Sequence, residues 1–295
     1  MSLIQDGGRI TELARRGVVA VSGTDAEKFL NDVITTDVPK AERSAAYGGL
    51  LTPQGKVLFD FMVFRDRERF LFDLPRALVA DFIKRLTFYR LRAKVEIADL
   101  SDDHIVVAAW GSANPPILDG PVAADPRLPA LGFRAIVPGG ADMAPDFDEA
   151  STADYDAHRI SLGVPEGGID FAFGDAFPHD AVMDQLGGVD FEKGCYVGQE
   201  VVSRMEHRGT ARRRFVIATG LSPMPAPGTA VTAGGKAIGA LGSSANGNGL
   251  ALVRLDRAKE AIDKGIAIMA GDAALTLTLP AWARYGWPAG MAEDG

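Results

Sequence analysis

The segment "FEKGCYVGQE", residues 191–200, holds the one cysteine of the chain. Cys195 lies two places after Lys193 and shortly before Gln199 and Glu200. A thiol here can serve as nucleophile, metal ligand or redox group, or it can pack as a small apolar side chain. Val197, Val201 and Met205 recur every four residues, and Glu200 and Arg204 are oppositely charged at the same spacing. This pattern predicts a helix starting near residue 196. The thiol would then stand at the helix N-terminal end, where unpaired N–H groups, the helix dipole and Lys193 all favour a thiolate. His179 and His207 are candidate bases for a cysteine–histidine pair.

Two further features bear on chemistry. Asp60 sits in the strand-like run "KVLFDFMVF", with apolar neighbours on both sides. It is either a hydrogen-bonded structural carboxylate or a carboxylate held at a ligand pocket. Residues 193–214 carry Lys193, Arg204, Arg208, Arg212, Arg213 and Arg214 against Glu200 and Glu206, a local excess of four positive charges. That run is either a solvated linker or a site for an anionic ligand. Other patterns are missing. There is no Cys-x-x-Cys, no Gly-x-Ser-x-Gly and no phosphate loop, and the four histidines lack metal-ligand spacing, so no metal site is expected.

The elements that must position these residues follow from periodicity. "RGVVAV" is a short strand, and Ala26, Phe29, Leu30, Val33 and Ile34 give an apolar helical stripe behind a Thr24/Glu27 capping box. Residues 50–74 read as a hairpin turning at Asp66-Arg67-Glu68. Its alternation puts Val57, Phe59, Phe61 and Val63 on one face and Leu58, Asp60, Met62 and Phe64 on the other. A helix follows Pro75, with Leu78, Val79, Phe82 and Leu86 apolar. "KVEIADL", "HIVVAAW" and "GFRAIVPGG" read as strands, and helical spacing returns over 152–162. From about residue 213 the chain becomes short β-type runs between glycine turns, which predicts an all-β barrel or sandwich. The expected class is α+β with largely antiparallel sheets, divided into residues 1–212 and 213–295.

With 295 residues, a net charge of −8 and a pI near 5.1, the chain is a poor general nucleic-acid binder. No stretch reaches the roughly 18 uninterrupted apolar residues of a membrane span, and the N-terminal residues hold no signal-peptide core. With a single cysteine, these features point to a cytoplasmic protein without membrane attachment.

"KGCYVGQE" resembles the signature of the YgfZ branch of the folate-binding, glycine-cleavage T-protein-like family, which includes iron–sulfur assembly factors. "FLNDVITTDV", "LLTPQGKVLFDF", "YRLRAKVEI", "RISLGVPEGG", "GGVDFEKGCYVGQEVVSRMEHRGTARRR" and "GLALVRLDRA" follow the family's order and cover almost the whole chain. The resemblance implies interwoven α+β domains around a central channel for tetrahydrofolate or a derivative, plus a C-terminal β-barrel. It implies a role with iron–sulfur assembly proteins and their client enzymes, with Cys195 as the acting residue. Asp60, Lys193, Tyr196, Gln199, Glu200, Arg204 and Arg208 are then the folate-site candidates. The alternative is a folate-dependent aminomethyl or one-carbon transferase, and a third class is a cysteine-nucleophile enzyme without folate. One departure counts against aminomethyl transfer. Lys56 and Phe59 replace a glycine and an aspartate of the T-protein pattern, leaving Asp60 as the one candidate carboxylate for proton handling at the folate nitrogen.

Overall fold

A computed structural model describes residues 7–39, 44–209, 211–221 and 223–288. The first part of the chain forms β1 (Gly8–Glu12), β2 (Arg16–Ser22), α1 (Ala26–Val33), β3 (Ala45–Leu51), β4 (Val57–Asp66), β5 (Arg69–Pro75) and α2 (Val79–Arg90). It continues with β6 (Glu96–Asp99), β7 (His104–Trp110), β8 (Val122–Ala124), β9 (Phe133–Pro138) and β10 (Phe147–Glu149). These strands build two five-stranded sheets, ordered β3-β4-β5-β2-β6 and β10-β1-β7-β9-β8. Every neighbouring pair is antiparallel except β1 with β10.

The alternation read from β4 positions both of its faces. Phe59, Phe61 and Val63 join a core with Phe72, Phe82 and Leu86, so this face packs against α2. The rings of Phe61 and Phe72 meet edge to face at 5.0 Å, and those of Phe59 and Phe82 at 5.3 Å. Asp60, Met62 and Phe64 on the opposite face are also buried. The hairpin turns as expected, with Asp66 paired to Arg69 and Arg67 at φ +56°.

The remainder forms α3 (Thr152–Ser161), α4 (Gln199–Arg208), β11 (Arg213–Thr219), β12 (Ala230–Ala233), β13 (Lys236–Ala245), β14 (Asn248–Arg254), α5 (Leu255–Asp263), β15 (Ile268–Ala270) and β16 (Ala273–Thr278). Its strands close a barrel in the order β11-β14-β13-β12-β15-β16, sealed where Ile217 to Thr219 pair with Thr278 to Thr276. Two compact units result: Met1–Tyr155 with Leu186–Glu200, and Asp156–Gln185 with Val201–Gly295.

Several expectations need correction. The C-terminal region is not all-β, because α5 interrupts the barrel strands. Leu255, Ala258 and Ala261 recur at helical spacing and are buried, while Asp256, Lys259 and Asp263 face outward. Thr24 does not cap α1. Asp25 precedes that helix, and its carboxylate accepts the Lys94 N–H at 2.7 Å. The helix expected from residue 196 begins at Gln199. Strands β1, β3, β8 and β10 were not read from the sequence. Among the described residues, no helix is long and apolar enough to cross a membrane.

Candidate functional site

Cys195 is exposed on the segment leading into α4. The helix starts four residues later, because Gly198 adopts φ +81° and holds the chain in a turn. A side chain at that position would stand 2.5 Å from the Thr52 carbonyl oxygen, so glycine is required twice over, by conformation and by space. Cys195 therefore lies before the first helical turn.

The loop carrying the thiol is pinned to the segment after α1. The Asp190 N–H donates to the Thr35 carbonyl at 2.8 Å, and the Thr35 hydroxyl donates to the Gly188 carbonyl at 2.6 Å. The Asp190 carboxylate accepts the N–H groups of Glu192 and Lys193 at 2.8 and 3.1 Å. Lys193 turns inward, with 2% of its side chain exposed. Its ammonium donates to the Ile34 and Thr36 carbonyls at 2.9 Å each, with Asp37 at 3.5 Å. Burial lowers the Lys193 pKa, and Asp37 offsets only part of that effect. Tyr196 is buried with the ammonium 5.7 Å from its ring centre, and burial, aided by Asp190, pushes its hydroxyl up to about 12. Lys193 and Tyr196 thus fix the loop, while Cys195 points to solvent. Gln199 is half-buried and its N–H donates to the Tyr196 carbonyl at 3.3 Å, while Glu200 is exposed in the first turn of α4.

Asp60 belongs to a buried polar layer of the first unit. The Tyr47 hydroxyl donates to its carboxylate at 3.3 Å. The Tyr47 pKa is raised well above the ordinary value by burial and by the Asp60 charge. The Arg127 guanidinium stands 5.8 Å from the Tyr47 ring centre and holds Asp125 at 2.7 Å. Burial would raise the Asp125 carboxyl, but Arg127, with Arg134 behind it, holds it below its usual value. Arg134 donates to the Tyr155 hydroxyl at 2.8 Å and to Asp73 at 3.1 Å, and Arg16 binds the other Asp73 oxygen. Three arginines and three aspartates therefore balance in one layer. The Arg134 Nε is buried with no hydrogen-bond partner among the described residues. Sequence reasoning found only Asp60 here. Asp73 in "FLFDLP" and Arg134 in "GFRAIV" carry the same signal, a charge inside an apolar strand.

In the second unit, Arg204 and Arg208 are exposed on α4. His179, almost fully buried, meets Glu206 at 3.0 Å. The ligand atoms of His179, Asp184 and Glu206 lie within 4.8 Å of one another, a convergence the histidine spacing did not reveal. Asp184 is already bound by Arg214 at 2.7 Å and by Gln185 at 2.6 Å, which makes the cluster an ion-pair network.

A family model described as the GCVT N-terminal domain matches residues 3–144, and one described as the CAF17 C-terminal beta-barrel domain matches residues 212–285. The crystal structure of glycine cleavage system aminomethyltransferase T from Bartonella henselae has the same fold. Its TM-score is 0.72, with 92% of this chain and 85% of that one covered at 16% identity. The chain has the fold of the glycine-cleavage T-proteins, with mixed α/β domains and a closed six-stranded C-terminal β-barrel. The chain is 35% identical over 227 residues to the mitochondrial iron–sulfur cluster assembly factor IBA57 homolog of Mycosarcoma maydis. That match takes in 70% of this chain and 56% of the relative, so the chain spans just over half the length of this curated relative. It is 29% identical to the mitochondrial iron–sulfur cluster assembly factor IBA57 of Homo sapiens, over 92% of this chain and 83% of that one. The relatives' mitochondrial designation overturns the cytoplasmic expectation. One unpaired thiol fits any reducing compartment, so it does not single out the cytoplasm.

Proposed function

We propose that this T-protein-like chain is an accessory factor in the assembly or repair of iron–sulfur enzymes, acting through the Cys195 thiol. The observation that carries this reading is the pinned loop, on which the only thiol of the chain is exposed while Lys193 and Tyr196 are spent on holding it. The names of the curated relatives support the same process. Iron–sulfur clusters usually take four protein ligands, mostly thiolates, so one cysteine serves as a single contact to a cluster whose other ligands come from partner proteins. The cluster is cargo in this scheme, and assembly proteins and client enzymes are the partners.

The proposal includes a folate. The chemistry of the buried layer fits one: Asp60 offers an acceptor for the N–H donors of a pterin, and the Arg134 Nε is a buried donor without a hydrogen-bond acceptor among the described residues. Asp60, Tyr47 and Arg134 would hold it. A reduced folate, when bound, supplies a one-carbon carrier.

The test is a strain lacking this gene, complemented with the wild type, Cys195→Ala or Asp60→Asn, and assayed for several iron–sulfur enzymes. Wild type should restore activity, Cys195→Ala should not, and the Cys195→Ala protein should still bind tetrahydrofolate in titration. Full rescue by Cys195→Ala would remove the thiol from the mechanism. Lack of tetrahydrofolate binding by the wild type would remove the folate alone.

A further inference from the structure

Between Asp81 and Glu96 the chain carries Lys84, Arg85, Arg90, Arg92 and Lys94 and no carboxylate, within a protein of net charge −8. Lys84, Arg85, Phe88, Leu91, Arg92 and Lys94 are exposed. Lys84 and Phe88 lie one turn apart on the outer face of α2, opposite the buried Val79, Phe82 and Leu86, and Leu91 follows directly after the helix end. Among the described residues, the side chains of Lys84, Arg85, Arg92 and Lys94 make no ion pair or hydrogen bond. Phe88 is 71% exposed and Leu91 is 88% exposed.

Leu91 is unusual in a second respect. It ends α2 at φ +47°, a conformation that glycine adopts without strain and leucine does not. A residue that is both strained and exposed adds nothing to the core. A bulky apolar side chain thus stands in solvent at a position where glycine would meet the backbone conformation without strain.

We infer that the α2 tip is a docking surface for an anionic phospholipid bilayer, with Phe88 and Leu91 entering the acyl boundary and the four free cations lying at the phosphate level. Charge complementarity supplies the attraction. The two apolar side chains supply the insertion, as on basic amphipathic helices that lie in a membrane interface. A nucleic acid would use the cations but leave the aliphatic Leu91 without a role. A protein partner is less well matched, because two of the four free cations are lysines, which protein interfaces deplete.

The test uses the full chain and sedimentation with large vesicles of phosphatidylcholine alone or mixed three to one with phosphatidylglycerol. Wild type should bind the mixed vesicles at low salt, at least about tenfold better than the neutral ones, and release as salt rises. Phe88→Ser with Leu91→Ser, and separately Lys84→Glu with Arg92→Glu, should each weaken binding about tenfold or more. Leu91→Gly gives an independent reading, since it should raise the thermal midpoint by relieving strain while weakening vesicle binding. Absence of binding to the mixed vesicles at low salt overturns the proposal, as does binding that survives both double substitutions. Binding of polyglutamate or an RNA duplex at this tip without vesicle binding would also overturn it, assigning the patch to an acidic protein or to nucleic acid.

Discussion

Each unit of the molecule buries arginines among aspartates, but the two arrangements differ in how completely the polar atoms are used. In the second unit, Arg159 is 1% exposed and each of its three nitrogens has a hydrogen-bond partner. It donates to Asp156 at 2.9 Å, to Asp170 at 2.8 Å, to the Val164 carbonyl at 3.2 Å and to the Ser243 hydroxyl at 3.2 Å. Asp170 also accepts from the N–H groups of Glu166 and Ser243 and from the Ser243 hydroxyl. In the first unit, Arg134 has partners for both terminal nitrogens but none for Nε among the described residues. A buried group normally finds its hydrogen bonds in the fold. A knot in which every guanidinium nitrogen is partnered leaves no nitrogen for a ligand, whereas a layer with an orphan donor has capacity for something the fold does not supply.

The comparison can be broken at its strongest point first. Arg159→Met leaves Asp170 buried without its countercharge and should cost about 3–5 kcal/mol of unfolding free energy. Urea denaturation reads this directly, and tetrahydrofolate affinity should be unchanged in the folded fraction. Arg134→Met should cost less, about 1–3 kcal/mol, because Asp73 keeps Arg16. If the two substitutions cost the same, the distinction between knot and layer fails.

A third prediction concerns pH. The Tyr196 hydroxyl is pushed up to about 12, so between the ordinary tyrosine value near 10 and 12 the unfolded chain ionises while the folded one keeps its proton. Stability from this residue is fully present below the lower value and declines as pH rises through that window. Urea midpoints across the alkaline range should show the decline, and Tyr196→Phe should reduce it. The smallest effect is expected at the candidate ligand residue. Asp60→Asn keeps the shape and the Tyr47 contact, so it should move stability by less than about 1 kcal/mol while weakening tetrahydrofolate about tenfold or more. A large stability loss with unchanged affinity would move Asp60 to the structural side of the comparison.

Much of the fold was legible because its signals are local. Alternation along β4 and β5, the stripe of α2 and the glycine-punctuated barrel strands each announce a period. Helix α5 was missed because a nine-residue helix inside a β region is masked by its neighbours. The start of α4 was misplaced because Gly198 breaks a spacing that otherwise continues through Val197. At the site, Cys195 and Asp60 stood out as single residues. The inward turn of Lys193 could not be read, since it depends on carbonyls some 157 to 159 residues earlier in the chain. The layer joining Asp73, Asp125, Arg127 and Arg134 was hidden for the same reason, because separate strands and loops bring its members together.

The alternating segments of the two units have a consequence for biosynthesis. The first unit takes residues 186–200 as its last piece, after the chain has already committed residues 156–185 to the second. At roughly 5–20 residues per second, the ribosome delivers every strand of the two sheets before the segment bearing Cys195. The contacts of that loop with the Ile34 and Thr36 carbonyls therefore cannot form until the rest of the unit has been synthesised. A nascent chain that stalls before this point carries every strand of the first unit and no thiol.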